Sequence, residues 1–241
     1  MQMCTPSFAR FERAIKSDFQ ERALSILKAK EHYFTKGELK KAYEYGKTNA
    51  AILKYLLELS IDRDMIDVTE NDNSAIRMAS LNDCKEVVEL LLERDDVDPS
   101  AGDNWAIQYA SENGRKEVVE LLLARDSRYR CVDPSARDNE AIQCASANGH
   151  KGVVKLLLAR DDVDPSANDN WAIRQLSTEG HKEIVELLLA RDDVDPSACD
   201  NYAIRRASTN GHKEVVELLM ADRRVQIKGI PQEILDKYGK L

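Results

Sequence analysis

Aromatic residues are scarce: four Phe, two Trp and eight Tyr make up 6% of the 241 residues. One large globular core is usually built with more, so the shortage favours small packing units repeated along the chain. No apolar run reaches the roughly 18 residues that a membrane-spanning helix needs, so no membrane association is expected. The opening MQMCTPSFARFERAIK lacks the apolar core of a secretory signal, and a cytoplasmic location is expected. The five cysteines, Cys4, Cys84, Cys131, Cys144 and Cys199, are odd in number and widely spaced. With no C-x-x-C pair and no Cys/His cluster, they read as free thiols of a reducing compartment rather than as a disulfide frame or a metal site. The phosphate loop G-x-x-x-x-G-K, the nucleophile elbow G-x-S-x-G and the zinc helix H-E-x-x-H are all missing. No enzyme activity, cofactor or metal is expected.

Charge is also one-sided. The chain carries a net charge of −8, and residues 74–226 alone carry −9, with 20 basic and 29 acidic side chains. Binding to nucleic acid needs Lys and Arg to neutralise phosphates, so an acidic body argues against it.

What is present is self-similarity. Five segments align, starting at Ser74, Trp105, Glu140, Trp171 and Tyr202, with offsets of 31, 35, 31 and 31 residues. The longer offset comes from extra residues within Ser127–Cys131, which bring Arg128, Tyr129 and Arg130 and read as a tolerated loop insertion. Each segment reads as two short helices. In the second segment Ala106, Ile107 and Ala110 share one face of the first helix, and Val118, Val119, Leu121, Leu122 and Leu123 give the second a broad apolar side. Asn73, Asn104, Asn139, Asn170 and Asn201 stand just ahead of the first helices and are predicted to be their N-caps. Gly114, Gly149, Gly180 and Gly211 stand where a helix ends in a left-handed residue, with Asp83 in that place in the first segment. Ser80, Ser111, Ser146, Ser177 and Ser208 recur in frame and read as packing residues. His150, His181 and His212 recur too, but a spacing of roughly 10 Å between packed helices is too wide for one metal ion. His32 has no partner in the sequence. The Asp-rich RDDVDPSA links lack the ligand spacing of a calcium loop and read as a solvated acidic face.

The block A-I-x-x-A-S-x-N-G-H-K-E-V-V-E-L-L-L resembles the ankyrin repeat. W-A-I-Q-Y-A and its relatives stand where that family has T-P-L-H-x-A, D-V-D-P stands for D-V-N-A, and the spacing of 31 residues implies shorter hairpin tips. The N-x-A-I-x-x-A-S-x-N-G-H variant resembles arrays encoded by amoeba-infecting giant viruses and some protists. The resemblance implies an all-α fold: an ankyrin-repeat α-solenoid of about seven helix-pair units. Residues 1–73 would hold about two degenerate N-terminal units, in which Leu39, Ala42 and Gly46, and more loosely Phe11 and Ala14, take the core places. Residues 74–226 would hold the five clear repeats. Residues 227–241 would hold a C-terminal capping helix opened by Pro231.

Comparing the segments with one another separates a constant framework from free positions. Ser74, Trp105, Glu140, Trp171 and Tyr202 form one variable series, and Met78, Tyr109, Cys144, Gln175 and Arg206 a second. Leu81, Glu112, Ala147, Thr178 and Thr209 form a third, and Gly102, Arg137, Asn168 and Cys199 a fourth. The resemblance implies that these positions line a concave surface that grips a protein partner. The partner-binding candidates are Trp105, Tyr109, Glu112, Trp171, Gln175, Tyr202, Arg205, Arg206, Arg77 and Arg174, because Trp, Tyr and Arg dominate interface hot spots. The expected function is a non-catalytic, monomeric protein-interaction scaffold. The alternative is a ubiquitin-ligase substrate adaptor, because the tail IPQEILDKYGKL is similar to the opening of an F-box.

Overall fold

A computed structural model of the chain describes residues 6–16, 20–30, 38–39, 42, 50–63, 67–124, 131–225 and 229–239. Cys4, His32, Gly46 and the inserted Arg128, Tyr129 and Arg130 lie outside the described residues. Among the described residues every regular element is helical. The chain forms two compact units, residues 1–102 with 127–131, and residues 103–126 with 132–241.

In the first unit α1 (Pro6–Lys16) packs on α2 (Gln20–Lys30), α2 on α3 (Ala50–Arg63), α3 on α5 (Lys85–Leu92), and α4 (Glu70–Leu81) on α5. Phe11, Ala14, Leu39 and Ala42, the positions that align with the repeat core, are all buried.

The second unit repeats one helix pair four times. Its first helices are α6 (Ala101–Glu112, entering from the other unit), α8 (Ala136–Ala147), α10 (Ala167–Glu179) and α12 (Ala198–Thr209). Its second helices are α7 (Lys116–Ala124), α9 (Lys151–Leu158), α11 (Lys182–Leu189) and α13 (Lys213–Ala221), and α14 (Gln232–Tyr238) follows. First helices pack on first helices (α8 on α10, α10 on α12) and second on second (α7, α9, α11 and α13 in order). The core is the sequence pattern made solid: Ala106, Ile107, Ala110, Val118, Val119 and Leu122 are buried, as are their equivalents in the next three pairs. Each buried Val, Ile or Leu contributes about 1.5–3 kcal/mol relative to an exposed one. Leu121 and Leu123 are only half-buried, so the second helix uses a narrower stripe than its sequence suggests.

The entry to each first helix departs from the sequence reading. The asparagines are not N-caps. Three consecutive residues adopt the left-handed conformation there, as in Arg137, Asp138 and Asn139 or Cys199, Asp200 and Asn201. A backbone bond such as Asn139 N–H to Ser135 O (2.8 Å) closes the turn. An N-cap has extended backbone and turns its side chain onto its own helix. These asparagines instead turn theirs toward the following link: Asn73 Oδ1 accepts from Asp98 N–H (2.8 Å), and Asn104, Asn139 and Asn170 accept from Asp133, Asp164 and Asp195 N–H (2.7 Å each). Asn and Asp tolerate left-handed backbone better than other non-glycine residues. Arg137 and Cys199, at the first place of the turn, lack that tolerance and carry strain of roughly 1–2 kcal/mol each.

The acidic links are also organised rather than merely solvated. In each D-P-S the Asp carboxylate accepts from the Ser hydroxyl two residues on (2.6 Å at Asp98, Asp133, Asp164 and Asp195) and from its backbone N–H. Arg160 and Arg191 each form a two-bond pair with the carboxylate two places on, holding Asp162 and Asp193 below the usual carboxylate range. Arg191 also donates to Leu158 O (3.2 Å), and Arg224 donates to Leu189 O (2.6 Å), Arg191 O (2.6 Å) and Val194 O (2.9 Å). These guanidinium groups satisfy carbonyls that the ends of second helices leave open.

The left-handed glycines are as expected, with φ of +68°, +71°, +84° and +80° at Gly114, Gly149, Gly180 and Gly211, and +60° at Asp83. The residue after each closes a six-residue cap, for example His150 N–H to Ala145 O (2.8 Å). The framework serines are less comfortable. Ser80, Ser111, Ser146 and Ser177 are fully buried, and among the described residues their hydroxyls have no hydrogen-bond partner. An unmade buried hydrogen bond costs about 1–3 kcal/mol, and Ala is the better helix former, so Ser146→Ala is expected to stabilise the protein by about 1 kcal/mol. The reading is the urea midpoint; a fall on substitution would show that the hydroxyl has a partner.

Candidate interaction surface

Residues at i, i+4 and i+7 share one strip of a helix. The variable positions obey that spacing: Trp105, Tyr109 and Glu112 on α6; Glu140, Cys144 and Ala147 on α8; Trp171, Gln175 and Thr178 on α10; Tyr202, Arg206 and Thr209 on α12. Because α8, α10 and α12 pack side by side, their strips lie side by side as well. The strip of α6 joins them at Cys144. Its thiol is pushed up to about 11, first by burial and then by the carboxylates of Glu140 and Glu112.

The aromatics are half-buried, so each presents part of its ring to solvent. Trp105 and Tyr109 stack with centroids 5.7 Å apart and planes tilted by 42°. Tyr202 lies beneath two guanidinium groups, Arg174 at 5.5 Å and Arg206 at 6.0 Å from its centroid. Gln175 is half-buried and donates to the Glu179 carboxylate. Glu112, Arg205 and Arg206 are exposed. The strip therefore runs from Glu112 and Glu140, the latter paired with Arg137 (3.0 Å), to Arg206, with Arg174 and Arg205 beside it.

The fourth signature place has a structural duty that the sequence reading missed. Arg77 donates to Asp72 O (3.0 Å) and Asn71 O (2.5 Å), Gln108 to Asp103 O (2.8 Å) and Gln143 to Asp138 O (2.6 Å). Arg174 donates to Asp169 O and Asn168 O (3.0 Å each), and Arg205 to Cys199 O (3.2 Å). Each side chain reaches back to the carbonyls of the left-handed turn. The signal was available: that place holds only Arg or Gln, two long side chains that end in a planar group with several N–H donors. The fourth variable series, from Gly102 to Cys199, is the first residue of the same turn.

The recurring histidines sit on the preceding repeat. His150 Nε2 lies 2.9 Å from Glu112 O, and His212 Nε2 lies 3.0 Å from Thr178 O, which also accepts from the Asn210 side chain (2.7 Å). His181 lies 3.4 Å from the Glu179 carboxylate. Among the described residues no group of His, Cys, Asp and Glu is placed to hold a metal ion, and no helix is long and apolar enough to cross a membrane. In the tail, Ile230, Ile234 and Tyr238 are buried.

Comparison with known proteins agrees with this architecture. A search of curated proteins finds no match. The family model described as ankyrin repeats (3 copies) matches residues 102–169 and, overlapping them, residues 142–229. Those matches span more than half of the chain, over the same helix pairs whose packing is set out above, and the protein belongs to the ankyrin repeat family, whose repeats are protein-interaction modules.

Proposed function

We propose that the first-helix strips of residues 103–225 form a concave face that holds a protein partner, with Trp105, Tyr109, Trp171 and Tyr202 as anchors. One observation carries the reading: half-exposed aromatics recur on one face, at the positions that vary while the buried framework beneath them stays constant. Rigid aromatic rings supply contact area at little conformational cost, and a buried ring anchor is typically worth about 2 kcal/mol or more. The protein acts as a non-catalytic, monomeric scaffold in the cytoplasm. Residues 1–73 serve as two degenerate units, residues 74–226 as five repeats, and residues 227–241 as the covering helix. The ligase-adaptor reading has less support, because the apolar side chains of that tail, Ile230 and Ile234, are buried rather than free for a second partner.

The double substitution Trp105→Ala and Trp171→Ala tests the face. Affinity capture with the full chain, followed by mass spectrometry, should lose its specific partners, a fall of roughly 100-fold or more for two anchors. Far-UV circular dichroism should be unchanged. An undiminished set of partners sinks the assignment.

A further inference from the structure

A cavity of about 550 Å³ lies at the basic end of the strips, between α12 and α14. Tyr202, Arg205 and Arg206 line one wall, and Glu233, Ile234 and Lys237 the other. The volume is in the range of roughly 300–1,000 Å³ typical of ligand sites, which suits one or two side chains rather than a folded surface. Three cations thus face one carboxylate, in a chain whose net charge is −8. Arg205 uses one N–H on Cys199 O, and Arg206 packs its guanidinium over the Tyr202 ring. Among the described residues none of Arg205, Arg206 and Lys237 is in an ion pair; elsewhere in the same unit Arg160, Arg191 and Arg224 are each locked to an aspartate.

We infer that this cavity is a subsite for an anionic side chain, carboxylate or phosphate ester, on a peptide segment lying along the first-helix strips. The inference rests on reading that face as protein-binding. Guanidinium groups bind carboxylate and phosphate through parallel N–H donors, and the Tyr202 ring in the same wall offers an apolar surface beside the charge. Continuity makes the occupant a peptide, because Tyr202 and Arg206 belong both to the cavity and to the strip series that starts at Trp105 and Tyr109. Charge adds direction: a bound segment places its acidic end here and its neutral or basic end near the exposed Glu112. An anionic bilayer is the poorer occupant, since residues 74–226 carry −9 and repel it outside the cavity.

The test is NMR titration of the full chain, observing the Arg Nε–Hε signals and the Ile234 amide. Four probes are used: acetylated hexaglutamate amide, the matching hexaglutamine, an acetylated Gly-phosphoserine-Gly amide, and phosphatidylserine vesicles. Hexaglutamate or the phosphopeptide should shift the signals saturably, and whichever binds tighter names the anion. Arg205→Gln with Arg206→Gln should weaken that binding at least tenfold with circular dichroism unchanged. If that pair unfolds the chain, Lys237→Gln should weaken binding at least threefold in its place. Equal shifts with hexaglutamine, no shift with either anion, full affinity in a folded variant, or a preference for vesicles would overturn the inference. Trp105→Ala with Trp171→Ala leaves the cavity intact. Anion binding retained while partner capture ignores the tryptophans therefore counts against the face, whereas capture that needs them without anion binding counts against the cavity alone.

Discussion

Replacing Asn139 by alanine is expected to destabilise the protein by about 3 kcal/mol, the sum of two losses of comparable size. The first is the bond from Asp164 N–H to Asn139 Oδ1, 2.7 Å long and made by a side chain that is 7% exposed. Without it a part-buried N–H loses its partner. The second is conformational. Asn139 has φ +63°, which asparagine adopts with local help and alanine does not. Asn139→Gly separates the two, since glycine accepts the backbone but makes no bond, and it should cost about half as much. The bond also spans two repeats. A stack of repeats is stable through its nearest-neighbour interfaces, so weakening one should broaden the unfolding transition as well as shift it. Urea unfolding followed by circular dichroism measures both. Equal and small effects of the two substitutions would show that the asparagine matters neither for the turn nor for the tie.

That tie marks where sequence reading stopped. The buried stripes were legible because Val, Ile, Leu and Ala recur with helical period, and the helix ends were legible because glycine at a left-handed position is a local signal. The duty of Asn139 is not local: its partner lies 25 residues away, and nothing in the chain near Asn139 distinguishes a side chain turned onto its own helix from one turned toward the next link. Asp164 hid for a similar reason. In composition it is one more acid in an acidic link, whereas in the fold its carboxylate holds Ser166 and its N–H serves Asn139. The fourth signature place was legible in principle, as an exclusive choice of Arg or Gln, but a row of arginines near aromatics reads more readily as a binding surface. Arg174 does both things at once: its guanidinium bonds Asn168 and Asp169 carbonyls and covers the Tyr202 ring. The candidate site was legible only as a set of variable positions that fall on one face. The cavity at its end was not, because it needs α14 to supply the far wall and no period in the sequence places that helix.

Gly180→Ala should cost about 3 kcal/mol and Gly211→Ala only about 1–2 kcal/mol, although the two positions share nearly the same backbone. Their φ angles are +84° and +80°, so the strain of a left-handed alanine is common to both. Their surroundings differ. A Cβ at Gly180 would clash with the edge of the His212 ring, whose Nε2 lies 3.0 Å from Thr178 O, whereas a Cβ at Gly211 meets nothing within 4 Å. The ring would have to leave, taking its contact with the first helix of the preceding repeat. The excess at Gly180 is thus the cost of moving a histidine, and the double substitution Gly180→Ala with His212→Ala should show it as non-additivity. With the ring already gone, the alanine adds only its backbone strain, and its effect should fall to that of Gly211→Ala. Equal single effects, or full additivity in the double variant, would show that the ring yields at no cost. The expected outcome instead gives the Gly-His pairing a cause that crosses the repeat boundary: Gly114, Gly149 and Gly180 are each required by their own left-handed turn and again by the histidine of the repeat that follows.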